Sequence, residues 1–200
     1  MKIDLTLDSN IKHKGRGLIA QKNINPGDIV LVEEPVTTGN DETTLLFNVL
    51  YSKEIQKIVD SFCSISFNSL EVKDRKRLTE IVTSAIEMLS FFLPYMDIPD
   101  IELDTMAWKY ALRLECNSFN LWDQNYERRS MGIYQRASRL NHSCVPNLVR
   151  EQHGNTLVFS ALTHIYKNNE LTFSYIPLTY ERTKRKDILV TYFQFDCKCE

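Results

Sequence analysis

Nine consecutive residues, Arg139-Leu140-Asn141-His142-Ser143-Cys144-Val145-Pro146-Asn147, hold two carboxamides, an imidazole, a hydroxyl and a thiol. Such a run supplies many hydrogen-bond donors and acceptors from side chain and backbone together. Pro146 restricts the chain and biases Val145 away from helix. Taken alone, the run reads as an ordered polar loop. His142 is the one histidine with such company; His13, His153 and His164 lack partner spacing and read as surface or core imidazoles. Gly15 and Gly17 flank Arg16 in a pattern that fits either close approach of backbone to a ligand or a tight turn before a strand. Three thiols, Cys144 and the Cys197-x-Cys199 pair, stand in polar surroundings and read equally as reduced thiols or as metal ligands. Cys63 and Cys116 lie isolated in apolar stretches and are expected as small buried hydrophobes. Five cysteines, an odd count without an export signal, argue against a disulfide framework.

The elements that must position these groups are bounded by composition. A chain of 200 residues supports one domain, or one domain with a sizeable insertion, and buries enough surface to need no disulfide staple. With 24 basic against 26 acidic residues the net charge is −2, which carries no footprint for direct nucleic-acid binding. Six glycines and six prolines exclude collagen-like and low-complexity classes. No window approaches an apolar membrane span, and the start, MKIDLTLDSN, lacks the apolar core of a signal peptide. The expectation is a soluble intracellular protein. The basic run Arg182, Lys184, Arg185 and Lys186 is bracketed by Glu181 and Asp187 and reads as a solvated helix face.

Along the chain, β-rich ends enclose a helical middle. Strands are expected over Gly17–Ala20 and Asp28–Glu33, on either side of the Asn25-Pro26-Gly27 turn, with Pro35 ending the second. Residues 37–44 read as a polar loop leading into a helix. Leu46, Val49 and Leu50 begin that helix at helical spacing, and Ile55, Ile58, Val59 and Phe62 continue it. A second helix runs from Val72 to Phe92, with Pro94 and Pro99 punctuating its exit, and a third spans Leu103 to Leu114. Strands follow at Thr156–Leu162 and Glu170–Ile176, then a basic helix over Leu178–Val190.

Five blocks in order give these groups a context: Lys14-Gly15-Arg16-Gly17-Leu18 with Asn25-Pro26-Gly27-Asp28; Glu115-Cys116-Asn117-Ser118-Phe119; Gly132-Ile133-Tyr134 leading to Asn141-His142-Ser143-Cys144-Val145-Pro146-Asn147; Asn169-Glu170-Leu171-Thr172-Phe173-Ser174-Tyr175; and Tyr192 with Phe195-Asp196-Cys197-Lys198-Cys199. With these blocks the sequence resembles the SET-domain protein-lysine methyltransferases, nearest the SET-and-MYND branch and its fungal relatives, here without the MYND zinc module. The resemblance implies a mainly β fold with an α insert (α+β): small β-sheets, a C-terminal pseudoknot and a helical insert. It divides the chain into residues 1–44 and 115–192 as the two SET parts, 45–114 as the insert, and 193–200 as a partial post-SET segment.

The resemblance also implies S-adenosylmethionine as methyl donor and a lysine on a protein substrate as acceptor, in the nucleus or cytoplasm. Carried over by position, Arg16, Gly17, Glu115, Asn117, Asn141, His142 and Phe195 bind the donor. Tyr175 is the catalytic tyrosine, and Phe119 and Tyr134 line the substrate channel, although Phe119 reads equally as a core aromatic. Cys144, Cys197 and Cys199 match part of a zinc site whose fourth thiolate this sequence does not supply. The family's usual glycine before the Glu170-Leu171 pair is Asn169, which tolerates positive φ. The alternative function is a catalytically inactive SET-fold interaction module.

Overall fold

The computed structural model describes residues 4–12, 14–92, 100–125 and 127–199. In chain order the elements are β1 (Thr6–Ile11), β2 (Gly15–Ala20), β3 (Ile29–Glu33), β4 (Thr37–Gly39), α1 (Glu42–Tyr51), α2 (Lys53–Val59), α3 (Val72–Ser90), α4 (Asp100–Asn117), β5 (Ser118–Trp122), β6 (Arg128–Ile133), β7 (Asn141–His142), β8 (Leu148–His153), β9 (Thr156–Ala161), β10 (Glu170–Phe173) and α5 (Arg182–Phe193). They fall into two units. The first takes Met1–Glu34, Arg136–Val190 and Phe195–Glu200, and the second takes Pro35–Gln135 with Thr191–Gln194.

The first unit carries two sheets, ordered β1-β2-β10-β7 and β3-β9-β8. β1 and β2 form an antiparallel hairpin from Thr6↔Ala20 to Ile11↔Gly15. β10 pairs antiparallel with β2 through Glu170↔Ile19 and Leu171↔Leu18. Its remaining residues turn to β7 and pair in parallel, Thr172 with Asn141 and Phe173 with His142. In the second sheet β9 alternates strictly, burying Leu157, Phe159 and Ala161. Gly154, at φ +62, closes the β8–β9 hairpin where a side chain would be strained.

The strand expected to reach Ile176 stops at Phe173. Beyond it the Tyr175 N–H turns to a side chain of β7, and the Ser174 hydroxyl bonds the Ile176 carbonyl, so no ladder continues. The left-handed residue in the preceding turn is Asn168, at φ 69, and not Asn169. The Asn169 carbonyl already accepts the Ala20 N–H at 3.0 Å, which fixes it beside β2 and moves the turn one residue back.

The second unit packs α1, α3 and α4 over the β4-β6-β5 sheet. Leu45, Leu46, Val49 and Leu50 of α1 meet the Leu78, Ile81, Val82, Ala85 and Leu89 stripe of α3 and the Leu103, Ala107, Ala111 and Leu114 stripe of α4. Met131 and Ile133 close this core from β6. Thr37–Gly39 form a strand against β6 and not a loop, as two β-branched residues favour. The helix expected to continue through Phe62 breaks at Ser52, which is extended at φ −116 and ψ 113. Its hydroxyl accepts the Ile55 N–H at 3.4 Å, so Ser52 ends α1 and caps α2. α4 runs to Asn117, past the expected Leu114, which puts Glu115, Cys116 and Asn117 in its last turn. Pro94 and Pro99 lie outside the described residues.

α5 begins at Arg182, later than expected, and buries Leu189 alone, in keeping with a solvated basic face. Among the described residues no helix is long and apolar enough to cross a membrane.

Asp41 shows how locally the second unit is specified. Its carboxylate accepts the Thr44 N–H at 2.7 Å and the Thr44 hydroxyl at 2.8 Å, capping α1. Those bonds, the backbone one first, hold its carboxyl below the usual range. A depressed carboxyl contributes stability above its unfolded value and loses it as pH falls through its folded one. We expect Asp41→Ala to cost about 1 kcal/mol at neutral pH. Denaturant titrations should show that difference shrinking once the pH drops below the ordinary carboxylate range.

Candidate active site

The polar run that opened the sequence reading is anchored by a residue that reading passed over. Glu33, buried at the end of β3, accepts the Arg136 N–H at 2.9 Å and the Ala137 N–H at 2.8 Å. These are donors at the start of the 3-10 turn Ala137–Arg139, which enters β7. Two arginines fix the same turn from outside, Arg136 to Asp8 at 2.7 Å and Arg139 to Asp8 at 2.6 Å. Burial raises the Asp8 carboxyl, but the hydrogen bonds and charges of Arg139 and Arg136 outweigh it and hold the group below its usual range. Glu33 had only the alternation of its strand to signal it.

β7 then presents Asn141 and His142. The Asn141 amide donates to Glu170 at 2.9 Å and reaches the Arg16 carbonyl at 3.4 Å. Glu170 also pairs with Lys14 at 2.7 Å. A Cβ on Gly17 would come within 2.6 Å of the Asn141 amide nitrogen and of Ile11, so this glycine is required by a close approach. Gly15 meets nothing within 4 Å, and its reason is conformational, φ +76 at the hairpin turn.

His142 is buried, and its Nδ1 accepts the Tyr175 N–H at 3.1 Å. Nδ1 therefore carries no proton, and the neutral ring carries it on Nε2, which faces the Cys144 sulfur at 3.4 Å. Burial pushes the imidazole down to about 4, with Lys14 and Arg185 acting in the same direction. Its ring lies 5.4 Å from that of Tyr175 and 5.9 Å from that of Phe195. The Tyr175 hydroxyl donates to the Leu140 carbonyl at 2.6 Å, immediately before β7. Asn147 completes the cradle. Its carboxamide donates to the Glu170 carbonyl and accepts the Thr172 N–H, both at 2.8 Å, acting as an extra rung beside β10.

The C-terminal segment brings Cys197 and Cys199 to Cys144. Cys144 and Cys197 sulfurs are 3.8 Å apart, and the Cys144 N–H donates to the Cys199 sulfur at 3.3 Å. Burial pushes the Cys197 thiol up to about 11. Burial also acts upward on Cys199, but the Cys144 N–H and the neighbouring side chains outweigh it and bring that thiol below its usual value. Thiolates around tetrahedral zinc, with Zn–S of about 2.3 Å, stand about 3.8 Å apart, which is the Cys144–Cys197 separation, so that pair fits zinc. His142 clusters with Cys144 and Cys197, yet its protonated Nε2 makes it a donor to sulfur and not a ligand.

The other candidates belong to the second unit. Glu115 pairs with Arg77 and lines a cavity of about 350 Å³ with Glu42, Arg128 and Tyr192. Burial leaves its carboxyl above the usual range despite the Arg77 charge. Asn117 is buried; its amide donates to the Arg113 carbonyl at 2.7 Å and the Cys63 carbonyl at 2.9 Å. Phe119 and Tyr134 are buried edge to face at 5.4 Å. Cys63 departs from expectation. It follows Phe62, the residue that turns inward after α2, and is itself exposed.

Small β-sheets accompanied by helices, with one strand pair and a C-terminal segment gathered on an Asn-His dipeptide, make up an α+β fold. The SET-domain family model matches residues 15–176, and the chain belongs to that family. A SET domain-containing protein of Acanthamoeba polyphaga mimivirus is 24% identical over 95% of this chain and 74% of its own length. N-lysine methyltransferase SMYD2 of Sus scrofa is 26% identical over 66% of this chain, which spans only 30% of that enzyme. The structure of Rubisco LSMT bound to AdoMet superposes with a TM-score of 0.65 at 15% identity, covering 98% of this chain and 52% of that one.

The two glycines give a direct test of the Asn141 cradle. Gly15→Ala should cost about 1–2 kcal/mol, the left-handed penalty alone. Gly17→Ala should cost about 1–3 kcal/mol from overpacking and also shift the Asn141 side-chain amide resonances, which Gly15→Ala leaves in place. Equal spectra for the two variants would remove Gly17 from the cradle.

Proposed function

We propose that the chain is an S-adenosylmethionine-dependent protein-lysine N-methyltransferase of the nucleus or cytoplasm. The observation that carries this reading is the His142 imidazole, with the Tyr175 and Phe195 rings 5.4 and 5.9 Å away and with Asn141 beside it against the Arg16–Gly17 backbone. Four distant stretches of sequence meet there. S-adenosylmethionine, when bound, supplies an electrophilic methyl group on a sulfonium.

The chain's own residues have separable tasks. The Asn141 amide is committed to Glu170, which leaves the carboxamide oxygen as an acceptor for the donor's ammonium. Phe195 offers a ring face to a purine, and Arg16 and Gly17 offer backbone. The family resemblance alone carries Glu115 and Asn117 as donor contacts and Phe119 and Tyr134 as channel aromatics. The acceptor lysine must lose its proton, although its unperturbed value is about 10.4. An apolar channel and a neighbouring sulfonium both disfavour the ammonium. The Tyr175 hydroxyl has its proton committed to the Leu140 carbonyl, so towards the reacting groups it accepts and does not donate. It therefore orients an amine N–H and leaves the nitrogen lone pair for in-line attack. Cys144, Cys197 and Cys199 would hold zinc, tying Phe195 to the loop after His142.

Calorimetry should detect donor binding to the purified protein, and no heat and no thermal shift at millimolar donor would remove the donor site. A screen of lysine-containing proteins with labelled donor then tests transfer. Tyr175→Phe should cost about 1 kcal/mol of stability for one lost hydrogen bond. Its turnover should fall roughly a hundred- to thousand-fold with donor binding retained. Full turnover in that variant would make Tyr175 a packing residue. Elemental analysis should find zinc in wild type and lose it in Cys197→Ser; equal zinc in both would reject the thiol site.

A further inference from the structure

Two thiols in the second unit have no part in that mechanism. Cys63 follows α2 in an exposed loop, and Cys116 lies half-buried in the last turn of α4. They are 53 positions apart in sequence, yet their sulfurs stand 3.9 Å apart. Asn117 is wedged between them. Its carboxamide oxygen accepts from the Cys63 thiol at 3.4 Å, and its nitrogen donates to the Cys116 sulfur at 3.2 Å. The same nitrogen donates to the Cys63 carbonyl at 2.9 Å, so this one side chain binds the loop to the helix end.

We propose that Cys63 and Cys116 are an oxidant-sensing dithiol, closing to a disulfide in peroxide and displacing the Asn117 carboxamide as they close. The roles follow from exposure. Cys63 is reached by solvent and reacts first: its sulfur attacks hydrogen peroxide, the O–O bond breaks, and a sulfenic acid and water result. The Cys116 sulfur then attacks the Cys63 sulfur. The S–S bond forms as the S–O bond breaks, and the Cys116 proton leaves with the hydroxyl as a second water. Two thiols and one peroxide thus give one disulfide and two waters. Cys116 waits as the protonated partner, because the contact with Cys63 and then burial push its thiol up.

Closure has a structural consequence. A disulfide holds its sulfurs about 2.0 Å apart, so the present gap must shrink by about half. The Cys63 S–H that the Asn117 oxygen accepts is consumed in the same step, and the loop carbonyl moves with its residue. Asn117 therefore loses both of its ties to the loop. That the donor site feels this rests on the assignment of Asn117 under the proposed function.

The zinc-loaded protein, treated with hydrogen peroxide and mapped without reduction, should give a linked Cys63–Cys116 peptide that dithiothreitol reverses. Its donor affinity should fall by about tenfold, the worth of one good hydrogen bond, and recover on reduction. Cys63→Ser keeps a hydroxyl for the Asn117 oxygen; it should bind donor as wild type does and ignore peroxide. Linkage confined to Cys144, Cys197 and Cys199, or sulfinic acid at Cys63 without linkage, would overturn the proposal. Linkage with unchanged donor affinity would overturn the displacement of Asn117. If the reduced protein binds no donor, the function reading fails separately. Hydrogen exchange at residues 113–117 then judges the pair, faster exchange after oxidation supporting it and unchanged exchange rejecting it.

Discussion

The Tyr175 N–H to His142 Nδ1 bond sets most of the site. It is a backbone donor, so it does not depend on a rotamer, and it fixes the proton of a buried neutral ring on Nε2. That proton faces the Cys144 sulfur, which turns a thiol cluster and an aromatic cluster into one assembly. The bond is possible only because β10 abandons its ladder after Phe173. Two residues of parallel pairing with β7 bring the chain to the right depth, and the break then frees the next N–H to turn inward. Burial keeps the imidazole from protonating and taking this arrangement apart.

Around that bond the first unit supplies satisfaction of polar groups more than apolar area. Glu33, Asn147 and Glu170 are each engaged by backbone or side-chain donors from segments far away in sequence. A two-residue strand such as β7 cannot hold its place by ladder bonds alone. Its entry is pinned by the Glu33 carboxylate and its neighbours Arg136 and Arg139, and its exit by Cys144. Glu33, Asn147 and Glu170 each have partners whose loss would strand them, which makes the arrangement specific as well as stable.

What the sequence made legible follows the range of each interaction. Strands with strict alternation, such as Thr156–Ala161, and helices with long apolar stripes, such as Val72–Ser90, declare themselves locally. The block around Asn141-His142 and the ending with Cys197 and Cys199 were legible through family resemblance, and their residues do meet in the first unit. The breaks were less visible. Ser52 splits an apolar period that never wavers, and only its hydroxyl on Ile55 explains why. Glu33 looked like the last polar residue of a strand, since no local pattern reports a partner at Arg136. Cys63 and Cys116 looked like two isolated apolar positions, because nothing in either stretch points to the other.

The two thiol clusters illustrate why residue type does not fix chemistry. At Cys199 a backbone N–H is directed at the sulfur, and it and the neighbouring side chains draw that thiol below its usual value. A thiol drawn down in this way favours its thiolate, and a thiolate favours a cation that neutralises it. At Cys116 the balance is opposite: the neighbouring thiol, burial and the Glu115 charge all hold the proton on sulfur. A protonated thiol is a poor cation site, and what suits Cys116 to resolving is the 3.9 Å separation from Cys63, its proton leaving as it attacks. The same residue type thus meets opposite surroundings in the two units, and the difference lies in which donors and charges the fold turns towards each sulfur.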